Sequence, residues 1–292
     1  MPGSQGGAYV RLEGGVIVNE DTVHTARETA GHSVDLPNWT NAPEFKNDVF
    51  TFARIVFKNR VGGLSFGGRG FGGFRGGWYI DYPDADLNLS FRLQWLTSMK
   101  VDPDTRVLKL TSPDLSHYPF IFMEHVEAML LSNQEVTILR NYLLNGGSLM
   151  INDTWGDGPW ENFEGQMKRV LPDNDWVELT MDHPIFHSIF DLSGPMSNLQ
   201  MPTIQFWNRS YNPYLPWDSE TNPTSGRERY AEQMHVRAWL DKNGHIMVIA
   251  IHNSDMPDGW EREAENQEYF QLFSETRSYP LMINILYYLM TH

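Results

Sequence analysis

The stretch from Ser132 to Ile151 constrains this chain more than any other, because it spells out a complete helix-to-strand unit with almost no connection. Ser132-Asn133-Gln134-Glu135 has the spacing of a capping box, in which the serine and the glutamate each satisfy one of the other's orphan backbone donors. Val136, Leu139, Tyr142 and Leu143 form an apolar stripe at helical spacing. Gly146-Gly147 stop that helix with the left-handed conformation a helix end prefers. Ser148-Leu149-Met150-Ile151 follows directly as a strand. A helix that feeds its chain straight into an apolar strand predicts a parallel sheet with helices on its faces.

The rest of the chain repeats the alternation. Val49 to Phe57 is rich in β-branched and aromatic residues and predicts the first strand of the core. A helical stripe runs through Leu87, Phe91, Leu93 and Leu96, and strands are expected at 106–110 and 120–123. A helix from Trp160 to Leu171 ends at Pro172, and a short strand follows at 176–179. Strands at 235–240 and 245–251 pair across the turn Asp241-Lys242-Asn243-Gly244. Two helices, Trp260 to Leu272 and Tyr279 to Met290, close the chain, with Asp258 placed to cap the first. Residues 182–232 are rich in Pro, Asn and aromatics and read as irregular. The expected organisation is an arm over residues 1–47, packing through Val16, Ile17, Val18 and Trp39, and one α/β domain over 48–292. A Gly-rich loop is inserted at 61–77, where glycines are too dense for a regular element.

Composition closes several chemistries. With no cysteine in 292 residues, disulfides, thiolate catalysis and sulfur-ligated zinc are all removed. A formal charge of −15 argues against nucleic acid, whose phosphates need a basic face. The longest apolar run, Tyr279 to Met290, falls short of the ~20 residues of a membrane-spanning helix. The opening Met1-Pro2-Gly3-Ser4 carries no signal-type run, as expected if a targeting segment precedes this sequence and is removed.

Five motifs stand together: Phe50-Thr51-Phe52-Ala53-Arg54, Asp81-Tyr82-Pro83-Asp84-Ala85-Asp86-Leu87-Asn88, Gly146 through Gly156, Asp182-His183-Pro184-Ile185-Phe186, and Asp258-Gly259-Trp260-Glu261-Arg262-Glu263. In combination they resemble the bacterial domain of unknown function 4159 family, over about residue 37 to the C-terminus. The resemblance implies a flavodoxin-like, class I glutamine amidotransferase-like three-layer sandwich with a mainly parallel sheet. It implies export to the periplasm or cell exterior, leaving the cytoplasm open. It also implies genomic company of MoxR-type ATPases and von Willebrand-type adhesion domains. A more distant likeness reaches the ThuA-like proteins, through the Gly-Gly turn, the Trp160 helix, His183-Pro184-Ile185 and a final strand ending Ile251-His252-Asn253. The glycine expected before that histidine is missing, which weakens the transfer of a role to His252.

In open α/β sheets ligands sit outside the carboxyl ends of the strands. Those ends are expected to carry Asp114 and His117, Glu124 and His125, Asn152, Asp153 and Trp155, and His252, Asn253 and Asp255. Carboxylate and imidazole are what acid–base chemistry requires, and an indole suits a sugar face. Asp153 and His252 are the candidate catalytic pair. Glu124, Trp155, Asn253, Asp255, Trp260 and Arg262 are the candidate ligand-binding residues. Asp153 has a plain alternative role as a cap for the next helix. Asp84-Ala85-Asp86-Leu87-Asn88 has the oxygen spacing of a calcium loop, but Leu89 stands where its glycine is needed, so it reads as helix capping. His183 and His187 have a zinc-like spacing broken by Pro184. No residue set is assigned to a metal, although calcium or magnesium would suit the chain best, and no cofactor is specified. Two functions follow. One is an exported binding or assembly module for a small polar ligand or a protein partner. The other is a hydrolase or isomerase acting on a small polar substrate such as a carbohydrate. Whether the chain is an enzyme is left open by its residues.

Overall fold

A computed structural model describes residues 9–12, 15–32, 37–45, 48–59, 77–205, 207, 233–261, 263 and 265–292. The expected Gly-rich loop lies outside these residues except for Gly77, as does the candidate Arg262.

The unit built from Ser132 forms as its residues dictate. Helix α2 (Asn133–Leu144) opens with both capping-box bonds made, Glu135 N to Ser132 Oγ at 3.2 Å and Ser132 N to Glu135 Oε2 at 2.8 Å. It closes with Gly147 N donating to Tyr142 O and Gly146 N to Leu143 O, a Schellman ending. The two glycines serve different needs. Gly146 takes φ +96° with open space around it, whereas a Cβ on Gly147 would collide with the Tyr142 ring. That ring is anchored, because its hydroxyl donates to Tyr118 O at 2.8 Å. Gly147→Ala is therefore expected to cost about 2–3 kcal/mol through overpacking. Gly146→Ala should cost about 1–2 kcal/mol through left-handed strain. Urea unfolding of the two variants checks the order, and equal losses would mean that Tyr142 can swing away.

The central sheet takes seven strands in the order β4 (Arg106–Lys109), β3 (Ala53–Val56), β5 (Phe120–Glu124), β6 (Ser148–Thr154), β9 (Ile246–His252), β8 (His235–Leu240), β7 (Trp176–Glu178). The first five run parallel, and β8 and β7 join as an antiparallel edge. The chain starts at β3 and steps outward to β4. It then crosses back to β5 and continues the other way, so strand order reverses between β3 and β5. β5, β6 and β9 are buried at every residue, as strands covered on both faces must be. Alternation divides their side chains: Ile121 and Met123 face one apolar core, Phe120 and Phe122 the other. Each such side chain, fully buried, contributes about 1.5–3 kcal/mol. The first core lies under α2 and α3 (Asp157–Val170), the second under α1 (Asp84–Leu96) and the C-terminal helix.

A small hairpin, β1 (Tyr9–Arg11) with β2 (Ile17–Asn19), belongs to the N-terminal arm. Val18 is buried in the first core with Val16 against it, Trp39 packs on the second, and Ile17 is exposed. Two expectations are corrected. The last two helices are one helical run, α5 (Gln267–Tyr269), a π-helical stretch (Phe270–Ser278) and α6 (Tyr279–Thr291). Its start is set by Asn266, whose side chain accepts from Glu268 N and Tyr269 N. Wider winding before Pro280 leaves room for a ring that would clash in a regular helix. Only a short turn, α4 (Asp258–Glu261), precedes it, and its cap is not Asp258. Asp255 Oδ1 accepts from Asp258 N at 3.1 Å, while Asp258 Oδ2 accepts from Ile204 N at 2.7 Å. Among the described residues no helix is long and apolar enough to cross a membrane.

Candidate functional site

At the carboxyl ends of β5, β6 and β9 the backbone departs from ordinary geometry. Asp81, His125, Asp153 and Asn253 are the non-glycine residues with positive φ among those described, at 57°, 51°, 52° and 62°. Such conformations persist only where the surroundings over-determine them, and they gather at functional sites. Register between β6 and β9 shifts between Ile151 and Thr154, and this irregularity re-aims Asp153.

Asp153 accepts from Trp155 Nε1 and pairs with His125 Nε2. His125 Nδ1 meets Glu127 at 3.2 Å. Burial works against a charge on this imidazole, but Asp153 and then Glu127 outweigh it and carry its pKa well above the ordinary value. Near neutral pH His125 is an imidazolium held between two carboxylates.

Opposite Asp153 stands Asp81, on the segment leading into α1. That segment is fixed from the sheet by Arg54 in β3, which is wholly buried. Its Nη1 donates to Trp78 O at 2.9 Å and Ile80 O at 3.0 Å, and also to Glu124. Its Nε reaches both oxygens of Asp86, at 2.9 and 3.0 Å. Asp86 is thus an ion-pair partner inside the fold rather than a helix cap. The arm braces the same segment, with Trp78 Nε1 donating to Glu20 and the Tyr82 hydroxyl to Thr25 O at 3.0 Å. The Tyr82–Pro83 peptide is cis.

Asp81, Asp153 and Asp255 bring oxygens within 4.8 Å of one another, and so do Asp81, Asp258 and Glu261. All but Glu261 are buried. Burial, first, then the neighbouring carboxylates push the Asp81 and Asp255 carboxyls well above the usual range. Burial likewise pushes Glu124 up to about 8 against the pull of Arg54. Tyr269 borders the group electrostatically, its phenol raised by burial and then by Asp258, Asp255 and Asp81.

Of the residues expected from the strand ends, Glu124, His125, Asp153 and Asp255 meet here, with Trp155 bound to Asp153. His252, Asn253, Asp114 and His117 do not. His252 donates from Nε2 to Gly156 O at 3.0 Å and accepts at Nδ1 from Arg237, whose guanidinium lies 4.2 Å above the Trp160 ring and 4.5 Å above Trp176. The partner of Asp153 is His125, and His252 is committed to a stack beside the edge strands. Asn253 has its amide engaged by Gly156 N and Gln233 O and its carbonyl by Gln200. Trp155 is buried and spends its indole N–H on Asp153, so it offers no sugar platform. Trp260 packs in the second core, 6.2 Å from Phe122, and Trp160 belongs to the Arg237 stack. Asp114 and His117 are exposed. His187 is bound to Asp191 and Met181 O, and His183 caps a short turn. Sequence reasoning missed Asp81 and Asp258, one on an irregular segment and one read as a cap. An open groove of about 810 Å³ lies at the other end of the strands, between residues 38–43 and 102–104, away from this group.

No curated protein matches this sequence. The model of a family described as a domain of unknown function (DUF4159) matches residues 63–290, which takes in Asp81, Glu124, His125, Asp153, Asp255 and Asp258. On a match over most of its length, the chain belongs to the DUF4159 family.

Proposed function

We propose that this protein is a binding module for a small polar ligand, taken up at the acidic crevice where β5, β6 and β9 end. The observation that carries the reading is the convergence of Asp81, Asp153 and Asp255 beside Glu124, buried and at the strand ends. A group this enclosed suits a small molecule better than a protein surface. Strand order supports a flavodoxin-like, amidotransferase-like scaffold, since β4-β3-β5-β6-β9 follows the 2-1-3-4-5 pattern whose ligands sit beside the reversal. Without cysteine such a scaffold cannot transfer amide nitrogen through a thioester. Export remains part of the proposal on the family resemblance, and fractionation of cells carrying the full gene tests it.

A second reading, a hydrolase or isomerase, is favoured by one feature. The ion-paired Asp153–His125 couple sits beside carboxyls held protonated to higher pH, and groups pushed apart in pKa are how acid and base roles divide. A thermal-shift survey of sugars, amides, carboxylates and phosphate esters separates the readings. A ligand of this crevice should raise Tm by several degrees in the wild type and not in Asp153→Asn. One that stabilises both equally places the site elsewhere, and one consumed during incubation establishes the second reading.

A further inference from the structure

The carboxylates of this crevice are too many and too close to serve each other alone. Asp81 belongs to both groups of three, joined by Asp153 and Asp255 in one and by Asp258 and Glu261 in the other. Oxygens within 4.8 Å of one another are spaced for one ion at the 2.3–2.6 Å of calcium coordination, and the shorter reach of magnesium would draw them closer. A second observation points the same way. Glu124 is fully buried; its Oε1 is held by Arg54, and its Oε2 has no hydrogen-bond partner. Asp81 Oδ2, on the residue the two groups share, is likewise buried and has no hydrogen-bond partner among the described residues. Among the described residues, Arg54 is committed to Asp86 and Glu124, and His125 to Asp153 and Glu127.

We infer that this crevice is a divalent-cation centre with Asp81 as the shared ligand of two adjoining positions, one completed by Asp153 and Asp255 and the other by Asp258 and Glu261. Donors that are all oxygen select a hard ion, magnesium, calcium or manganese, over zinc or copper. Bound charge would relieve the repulsion among these carboxylates and supply a docking point for an anionic or hydroxyl-rich ligand. The inference rests on the crevice being the functional centre and names what recognises the ligand there.

The test uses the full chain, stripped with a chelator, titrated with magnesium, calcium and manganese chloride and followed by calorimetry and thermal unfolding. At least one of the ions should bind saturably and raise Tm by several degrees. Asp81→Asn should weaken that binding about a hundredfold and Asp255→Asn about tenfold or more, with Glu178→Gln, at the distant edge strand, unchanged. Because Asp81 is repelled by its neighbours, Asp81→Asn should be at least as stable as the stripped wild type, so loss of binding will not reflect misfolding. Terbium luminescence excited through tryptophan gives an independent readout of that binding. No saturable binding of any of these ions, or equal binding by Asp81→Asn, overturns the inference. A polar ligand that still binds in chelator would leave the proposed binding function standing while removing the ion. Ion binding with no polar ligand found would do the reverse.

Discussion

Replacing Arg54 by methionine should destabilise the fold by about 3–5 kcal/mol, a large share of the stability of a domain this size. Asp86 and Glu124 are both wholly buried, and this guanidinium is the cation that meets them. Removing it leaves two carboxylates facing each other in a low-dielectric interior, together with the carbonyls of Trp78 and Ile80 stripped of their donor. Burial lowers the Arg54 pKa, but the two carboxylates more than restore it, so the guanidinium stays charged. Lysine keeps the charge but not the fork that reaches four groups at once, so Arg54→Lys should recover only part of the loss. The control is the triple replacement Arg54→Met, Asp86→Leu, Glu124→Met, which removes every charge of the network. If stranded charge is the cause, the triple variant should be clearly more stable than Arg54→Met alone in urea unfolding. A loss under about 1 kcal/mol for the single variant would sink the argument. Arg54 also fixes the backbone just before Asp81, so the lysine variant should bind the proposed cation more weakly even where it folds.

What could be read from the residues and what could not divide along a physical line. The capping box at Ser132, the Gly146-Gly147 ending and the turn at Asp241 to Gly244 are local, each set by a few neighbours, and all stand as expected. So does the mainly parallel sheet, because helix and strand follow each other too closely for other pairings. Strand β6 was expected to stop at Ile151, since Asn152-Asp153-Thr154 look like loop. It runs to Thr154, because the tertiary structure buries those polar residues and supplies their partners. Half of the site was legible for the same reason: Glu124, Asp153 and Asp255 lie at strand ends. Asp81 was not, because it comes from an irregular segment fixed by Arg54 more than twenty residues earlier, and no local pattern announces that contact. The pairing of Asp153 with His125 rather than His252 depends on a left-handed turn at the end of β5, again invisible in spacing.

His252, excluded from the crevice, should instead make the fold sensitive to acid. Its surroundings admit one neutral form. Arg237 can only donate, so Nδ1 must accept, and the remaining proton sits on Nε2 facing Gly156 O. Burial, first, and then the charge of Arg237 lower its pKa to about 4, although the bond to Gly156 O pulls the other way. An unfolded histidine takes up its proton near pH 6.5 and this one not until about 4, so between those values the unfolded chain binds more protons. The stabilisation is therefore complete above pH 6.5, falls as pH drops, and levels off below about 4, a total of about 3 kcal/mol. Carboxyls with raised pKa respond in the opposite sense: Glu124, pushed up to about 8, favours the fold at low pH and less so as pH rises. The whole-protein profile sums both, and a substitution that cannot titrate isolates the histidine. His252→Gln can accept from Arg237 and donate to Gly156 O, losing mainly ring contact with Trp160, whose centroid lies 5.1 Å away. It should be about 1 kcal/mol less stable than wild type at neutral pH and overtake it as pH falls towards 4. Urea unfolding at successive pH values, in chelator throughout, should show the two curves crossing. Parallel curves would mean that His252 takes up its proton over the same pH range in the folded and unfolded chain, and that Arg237 does not face it as described.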